Sequence, residues 1–188
     1  NCERMQKAMK LAIKQKVFSL HESFQVMDEN GEPVYEVKGK VLSIGHKLTV
    51  TDMRGEEVAY IHQKVLSLVP KYFIETAGRA EVELKGHITL LRPHYTLEMP
   101  DGDWEIRGSF TQHDYTMTCG GETVATVAQA WFAWGDTYAL EVANDADALT
   151  ALCVLLAIDC VNSDTTVAAG ATAGTVAAHA AASPSDKN

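Results

Sequence analysis

The sequence predicts a mainly β fold: a closed antiparallel barrel of twelve strands around a central hydrophobic C-terminal α-helix. Three observations lead there. A short motif returns every 24 residues, glycine-centred turns separate runs that alternate apolar and polar residues, and one late segment is apolar on nearly every side. At 188 residues the chain has the length of one domain.

The repeat comes first. Lys16-Val17-Phe18-Ser19-Leu20 returns as Lys40-Val41-Leu42-Ser43-Ile44 and again as Lys64-Val65-Leu66-Ser67-Leu68, with weaker copies near His87-Ile88, Ser109-Phe110 and Ala130-Trp131. A period in this range marks a repeated supersecondary unit. Within the units, Asn30-Gly31, Arg54-Gly55, Ala77-Gly78, Asp101-Gly102 and Gly120-Gly121 supply turn chemistry. A hexad follows each turn. Its fourth position is aliphatic (Val37, Ile61, Leu84, Ile106, Val127), and its second is Tyr35, Ala59, Val82, Trp104 or Ala125. Alternation turns both positions toward a core.

Each unit thus contributes a long strand and a short one. The long strands are expected near 11–20, 34–44, 58–69, 81–91, 103–112 and 124–134, the short ones near 23–28, 47–52, 71–76, 94–99, 113–118 and 137–142. An open sheet of that size would leave two long edges, and closure removes them.

A barrel this wide cannot be filled by its own side chains. Residues 145–162 supply the filling: Asn144 or Asp145 can cap a helix, and Ala148 to Val161 are apolar almost all round. Such a helix must be buried all round. Only eleven residues separate Asp147 from Asp159, short of the roughly 20 a membrane span needs. Asp159 is expected at the barrel mouth. Residues 1–8 read as a ragged N-terminus, 9–162 as the barrel domain, and 163–188, rich in Ala, Thr, Gly and Ser, as a disordered tail.

Composition excludes several functions. A net charge of −9 argues against binding nucleic acid through phosphate neutralisation. Residues 1–71 carry +2 and residues 72–188 carry −11, but a single barrel can merge the two. Cys2, Cys119, Cys153 and Cys160 form no C-x-x-C pair, and the histidines are scattered singly, so neither a metal site nor a disulfide framework is expected. Lysines 7, 10, 14 and 16 interrupt every apolar run near the N-terminus, so no secretory signal is read and the cytoplasm is the expected compartment. The sequence carries neither a nucleophile elbow nor a phosphate loop; no catalytic residue and no cofactor are assigned.

The outward fifth hexad position is the most suggestive. It holds Lys38, His62, Lys85, Arg107 and Ala128, and a basic stripe there suits anionic lipid headgroups, each near-surface base contributing about 1 kcal/mol. Lys38, Lys85 and Arg107 are the candidate headgroup contacts. The competing reading is a solvated charge ladder, because Glu36, Glu83 and Glu105 share the outer face. Trp131 and Trp134 are candidate exposed aromatics for a membrane interface, set against packing on the helix or a neighbouring strand.

The runs Ile13–Leu20, Ser43–Leu48, Trp131–Tyr138 and Asp145–Leu149 resemble the LOR family, above all its short bacterial members, over about residues 9–162. The resemblance implies a fold like the tubby C-terminal domain and the phospholipid scramblases. Because tubby-type relatives bind phosphoinositides and scramblase relatives act at membranes, it also implies a non-catalytic module. Its expected partner is a phospholipid or phosphoinositide headgroup at a membrane surface, to which the protein would be peripheral. A structural or protein-interaction scaffold is the rival reading, and an enzyme with a site at the barrel mouth the third.

Overall fold

A computed structural model describes residues 8–14, 23–40, 44–89, 92–109, 114–132 and 135–179; side chains are described at these positions except 14, 130–136 and 165–179. Period-two runs form β1 (Met9–Lys14), β2 (Phe24–Asp28), β3 (Pro33–Gly39), β4 (Lys47–Asp52), β5 (Glu57–Gln63) and β6 (Lys71–Thr76). The second half supplies β7 (Val82–Gly86), β8 (His94–Leu97), β9 (Trp104–Ser109), β10 (Asp114–Cys119), β11 (Glu122–Phe132) and β12 (Gly135–Val142). Each strand pairs with the next, and β1 pairs antiparallel with β12 from Met9↔Val142 to Lys14↔Thr137, which closes the barrel.

The hexads point as expected. Val37, Ile61, Leu84, Ile106 and Val127 are at most 1% exposed. Ala59, Trp104 and Ala125 are buried beside them, and Tyr35 and Val82 pack half-buried against the same core. Two turns share one device. Asp28 Oδ1 accepts from the backbone N–H groups of Asn30 (2.8 Å) and Glu32 (2.9 Å), and Asp52 Oδ1 from those of Arg54 (2.9 Å) and Glu56 (3.0 Å). Gly31 and Gly55 supply the positive φ that both turns need, 82° and 84°. The Glu32 and Glu56 amides hold the two carboxyls below the usual aspartate range.

Asn144 starts the helix: its side chain accepts from Ala146 N at 3.1 Å, a 3-10 turn covers Asp145–Asp147, and α1 follows as Ala148–His179. Every residue from Ala151 to Cys160 is buried inside the barrel. Burial of each Leu, Ile or Val there is worth about 1.5–3 kcal/mol. By length and composition Asp145–Asp164 could cross a membrane, but 67% of it is buried within the protein. The sheet takes up the apolar surface that a bilayer would otherwise cover.

The structure differs from the sequence expectation in three places. The long strands are shorter where the following residues are described: β3 stops at Gly39 rather than 44, β5 at Gln63 rather than 69, and β7 at Gly86 rather than 91. Residues 64–69 and 87–89 belong to connections instead. The helix continues through His179, past the boundary expected at 162, as an alanine-rich stretch can. Residues 1–7 and 180–188 lie outside the described residues. Asp159 does not reach the mouth. It is 6% exposed, one turn further in, because Asn162 and Ser163 take the rim position: Asn162 Nδ2 donates to Tyr115 Oη at 3.2 Å, and Ser163 Oγ to Asp159 O at 3.1 Å.

Candidate functional site: a basic, apolar barrel end

Up-and-down topology sends alternate connections to opposite ends. The β3–β4, β5–β6 and β7–β8 connections gather at one end, the loop end, where α1 leaves the barrel: His46 Nε2 lies 2.9 Å from Asp164 Oδ1. The tight turns gather at the other, where α1 begins and Arg79 Nη2 donates to Ala146 O at 2.8 Å.

The loop end repeats one closure. Lys40 N donates to Lys47 O, Lys64 N to Lys71 O, and His87 N to His94 O, each at 2.9 Å. The loops also brace one another. Gly45 has a φ of 77°, a Cβ there would lie 2.7 Å from Val65 Cγ2, and His46 N donates to Gln63 Oε1 at 3.0 Å. Held in this way, the described aliphatic residues at the motif positions face water: Ile44 is 82% exposed, Ile88 85%, Leu66 93%, and Leu68 completely. Lys40, Lys47, Lys64, Lys71 and Arg92 surround them, and no carboxylate occurs among the described residues 40, 44–47, 64–71, 87–89 and 92–94.

The turn end has the opposite character. Asp28, Glu29 and Glu32 occupy one turn, Asp52 and Glu56 the next, Glu98, Asp101 and Asp103 a third, and Asp145 and Asp147 precede α1. Among the described residues, basic side chains gather at the loop end and acidic ones at the turn end, where Arg54 and Arg79 also lie.

Lys38, Lys85 and Arg107, the expected headgroup contacts, stand on β3, β7 and β9. β4, β5 and β6 separate Lys38 on β3 from Lys85 on β7. Lys38 Nζ pairs with Glu36 at 3.0 Å, Arg107 with Glu105 at 3.7 Å, and Lys71 with Glu83 at 2.5 Å. Lys85 stands in register with Lys71 and Thr96. His94 also bonds Glu105, which holds that carboxyl below the usual range. His87 stacks on His94 at 4.3 Å; partial burial, then the neighbouring ring, lowers its own pKa. Acid beside base along the wall is the arrangement of a charge ladder. Trp131 pairs through its backbone with Asp136, but its side chain lies outside the described residues, as does Trp134 altogether.

Inside the barrel near the loop end, burial raises the Asp159 carboxyl to about 7 and the Cys160 thiol to about 12. Among the described residues no ion pair reaches Asp159. On the outer wall, ligand atoms of His62, Glu75 and Glu81 lie within 4.8 Å of one another. His62 Nδ1 is 4.0 Å from Glu75 Oε1, and its ring sits between Tyr60 and Phe73, with centroids at 5.6 and 5.2 Å. This is the one described set of three donors able to hold a divalent cation. β5, β6 and the turn before β7 bring the three together through pairing, so no sequence spacing points to them.

Residues 9–159 match the sequence profile of the LURP-one-related (LOR) family, which is most of the chain. The chain belongs to the LOR family. Among LOR-like relatives, the protein YxjI of Bacillus subtilis (strain 168), described as uncharacterized, is 30% identical over 153 residues, covering 81% of this chain and 93% of its own length. An X-ray structure of an Arabidopsis thaliana protein superposes on this LOR barrel with a TM-score of 0.59 at 17% identity, covering 82% of this chain and 91% of that one. That likeness concerns the fold alone.

Proposed function

We propose that this LOR barrel is a non-catalytic module that binds anionic phospholipid headgroups at a membrane surface, using its loop end. The carrying observation is the partition of charge: three described loops hold five cations and no carboxylate of their own, although Lys71 pairs with Glu83 and Asp164 stands beside His46 at the same end, and the acids of the tight turns lie at the far end. Strands of about six residues separate the two ends by about 20 Å. That is about two Debye lengths at physiological ionic strength, so the distant acids do little to cancel the local field. Each Lys or Arg brought near an anionic leaflet is worth about 1 kcal/mol, which makes the net charge of −9 a poor guide to this face. Such a leaflet faces the cytoplasm, the compartment expected from the sequence.

Flotation of the whole protein with phosphatidylcholine vesicles, with and without phosphatidylserine or a phosphoinositide, tests the proposal. Capture that needs the anionic lipid at low salt and declines with added salt supports it. Absence of capture at low salt contradicts it. The rival scaffold reading predicts partner capture that is indifferent to lipid.

A further inference from the structure

One feature of the loop end plays no part in headgroup attraction: the aliphatic side chains of the 24-residue repeat. Ile44, Leu66, Leu68 and Ile88 come from three successive loops at one end, and each is more than four-fifths exposed. Four large aliphatic side chains grouped at one rim differ from the scattered apolar residues that any surface carries. Their loops are also braced, by the Gly45–Val65 approach and the His46–Gln63 hydrogen bond, so the side chains are held outward.

We infer that the barrel docks end-on, with these loop tips inserted below the headgroups of an anionic bilayer and the flanking lysines at headgroup level. This rests on the lipid reading above and adds the surface, the orientation and the apolar contribution. The order of chemistry along two of the loops fits a bilayer boundary: Lys64 and Lys71, the latter also paired with Glu83, stand at the base of the β5–β6 loop, with Leu66 and Leu68 between them. Lys40 and Lys47 bracket Ile44 in the same way. Aliphatic tips enter the acyl boundary while bases at their feet meet phosphates. Charge selects this occupant over a second copy, since two such ends face to face would bring like charges together. Docking in this orientation points the exit of α1, beyond Asp164, toward the bilayer and leaves the acidic turns facing away.

The test uses the full chain with Leu66→Trp and, as its control at the opposite end, Met53→Trp, each read as the difference from the parent. Vesicles contain phosphatidylserine and lipids brominated along the acyl chain. End-on insertion predicts quenching of the added Leu66→Trp fluorescence several-fold greater than that of Met53→Trp. It also predicts that Leu66→Gln/Leu68→Gln, which leaves charge unchanged, weakens vesicle affinity at least ten-fold with an unaltered circular dichroism spectrum. Parent binding with equal quenching at both sites, and full affinity of the Gln variant, would overturn end-on insertion while leaving headgroup binding intact. No binding by the parent overturns both. A lipid-free dimer that dissociates in the Gln variant, seen by sedimentation, would assign the rim to a second copy and overturn insertion as well.

Discussion

His46 and Asp164 join the β3–β4 loop to α1 where the helix leaves the barrel, with Nε2 and Oδ1 2.9 Å apart. The histidine is nearly buried and the aspartate half-exposed. A pair open to water on one side contributes little to global stability, about 1 kcal/mol or less. Its effect should be local. Asp164→Ala is expected to lower unfolding free energy by no more than that, while speeding amide hydrogen exchange in the last buried turn of the helix; a loss above about 2 kcal/mol would mean the pair supports the whole barrel.

Asp159 makes stability depend on pH. Burial raises its carboxyl to about 7 in the folded protein, above the ordinary aspartate value of about 4. The neutral form is favoured inside the barrel, so this contribution is fully present below about pH 4 and is lost as pH rises through 7. Three pKa units correspond to about 4 kcal/mol at most. Asp159→Asn should raise stability by no more than about 1 kcal/mol at pH 4.5 and by about 2–4 kcal/mol at pH 8. Equal effects at both values would show that the carboxyl is not neutral in the core.

Burial also sets thiol reactivity. Cys153 and Cys160 are completely covered, and their thiols are pushed up to about 12, whereas Cys119 is half-exposed. Alkylation at pH 8, mapped by mass spectrometry, should modify Cys119 in the native protein and reach Cys153 and Cys160 only after denaturation. Early modification of either core thiol would place the helix outside the barrel.

A backbone test of the barrel comes from Gly108. A Cβ there would stand 2.0 Å from Asp114 O and 2.9 Å from Tyr115 Cα, and neither backbone atom can yield without parting β9 from β10. Gly108→Ala is expected to cost about 3 kcal/mol or more. Gly120→Ala, at a φ of +59° with open space around it, should cost only about 1 kcal/mol. Thermal unfolding of the two variants compares them, and equal losses would contradict the close β9–β10 approach.

The barrel was legible because its signals are local: period-two burial at Val37, Ile61 and Leu84 needs no long-range information, and neither does a helix apolar on every side. Strand length was not local. Lys64 to Val69 has strand-like composition, yet β5 ends at Gln63 because pairing with β6 resumes only at Lys71, after Pro70. The depth of Asp159 depends on how far α1 penetrates, which no spacing encodes. The basic end was hidden for the same reason: the repeat motif was read as strand, and the exposure of Ile44 and Leu66 appears only once their loops are placed at one rim. Lys38, Lys85 and Arg107 were legible as outward but not as separate, since register, not periodicity, gives each its neighbours.

Rim against wall is the most direct comparison. Lys40→Glu/Lys64→Glu/Arg92→Glu reverses three charges at the loop end, and Lys38→Glu/Lys85→Glu/Arg107→Glu reverses three on the barrel side. Both variants change net charge equally, so vesicle affinity measured at low salt isolates position. The rim variant should lose at least a hundred-fold in affinity for phosphatidylserine vesicles, about 1 kcal/mol for each base removed, while the wall variant stays within about three-fold of the parent. Equal losses in the two variants, or a greater loss on the wall, would contradict a membrane-facing loop end.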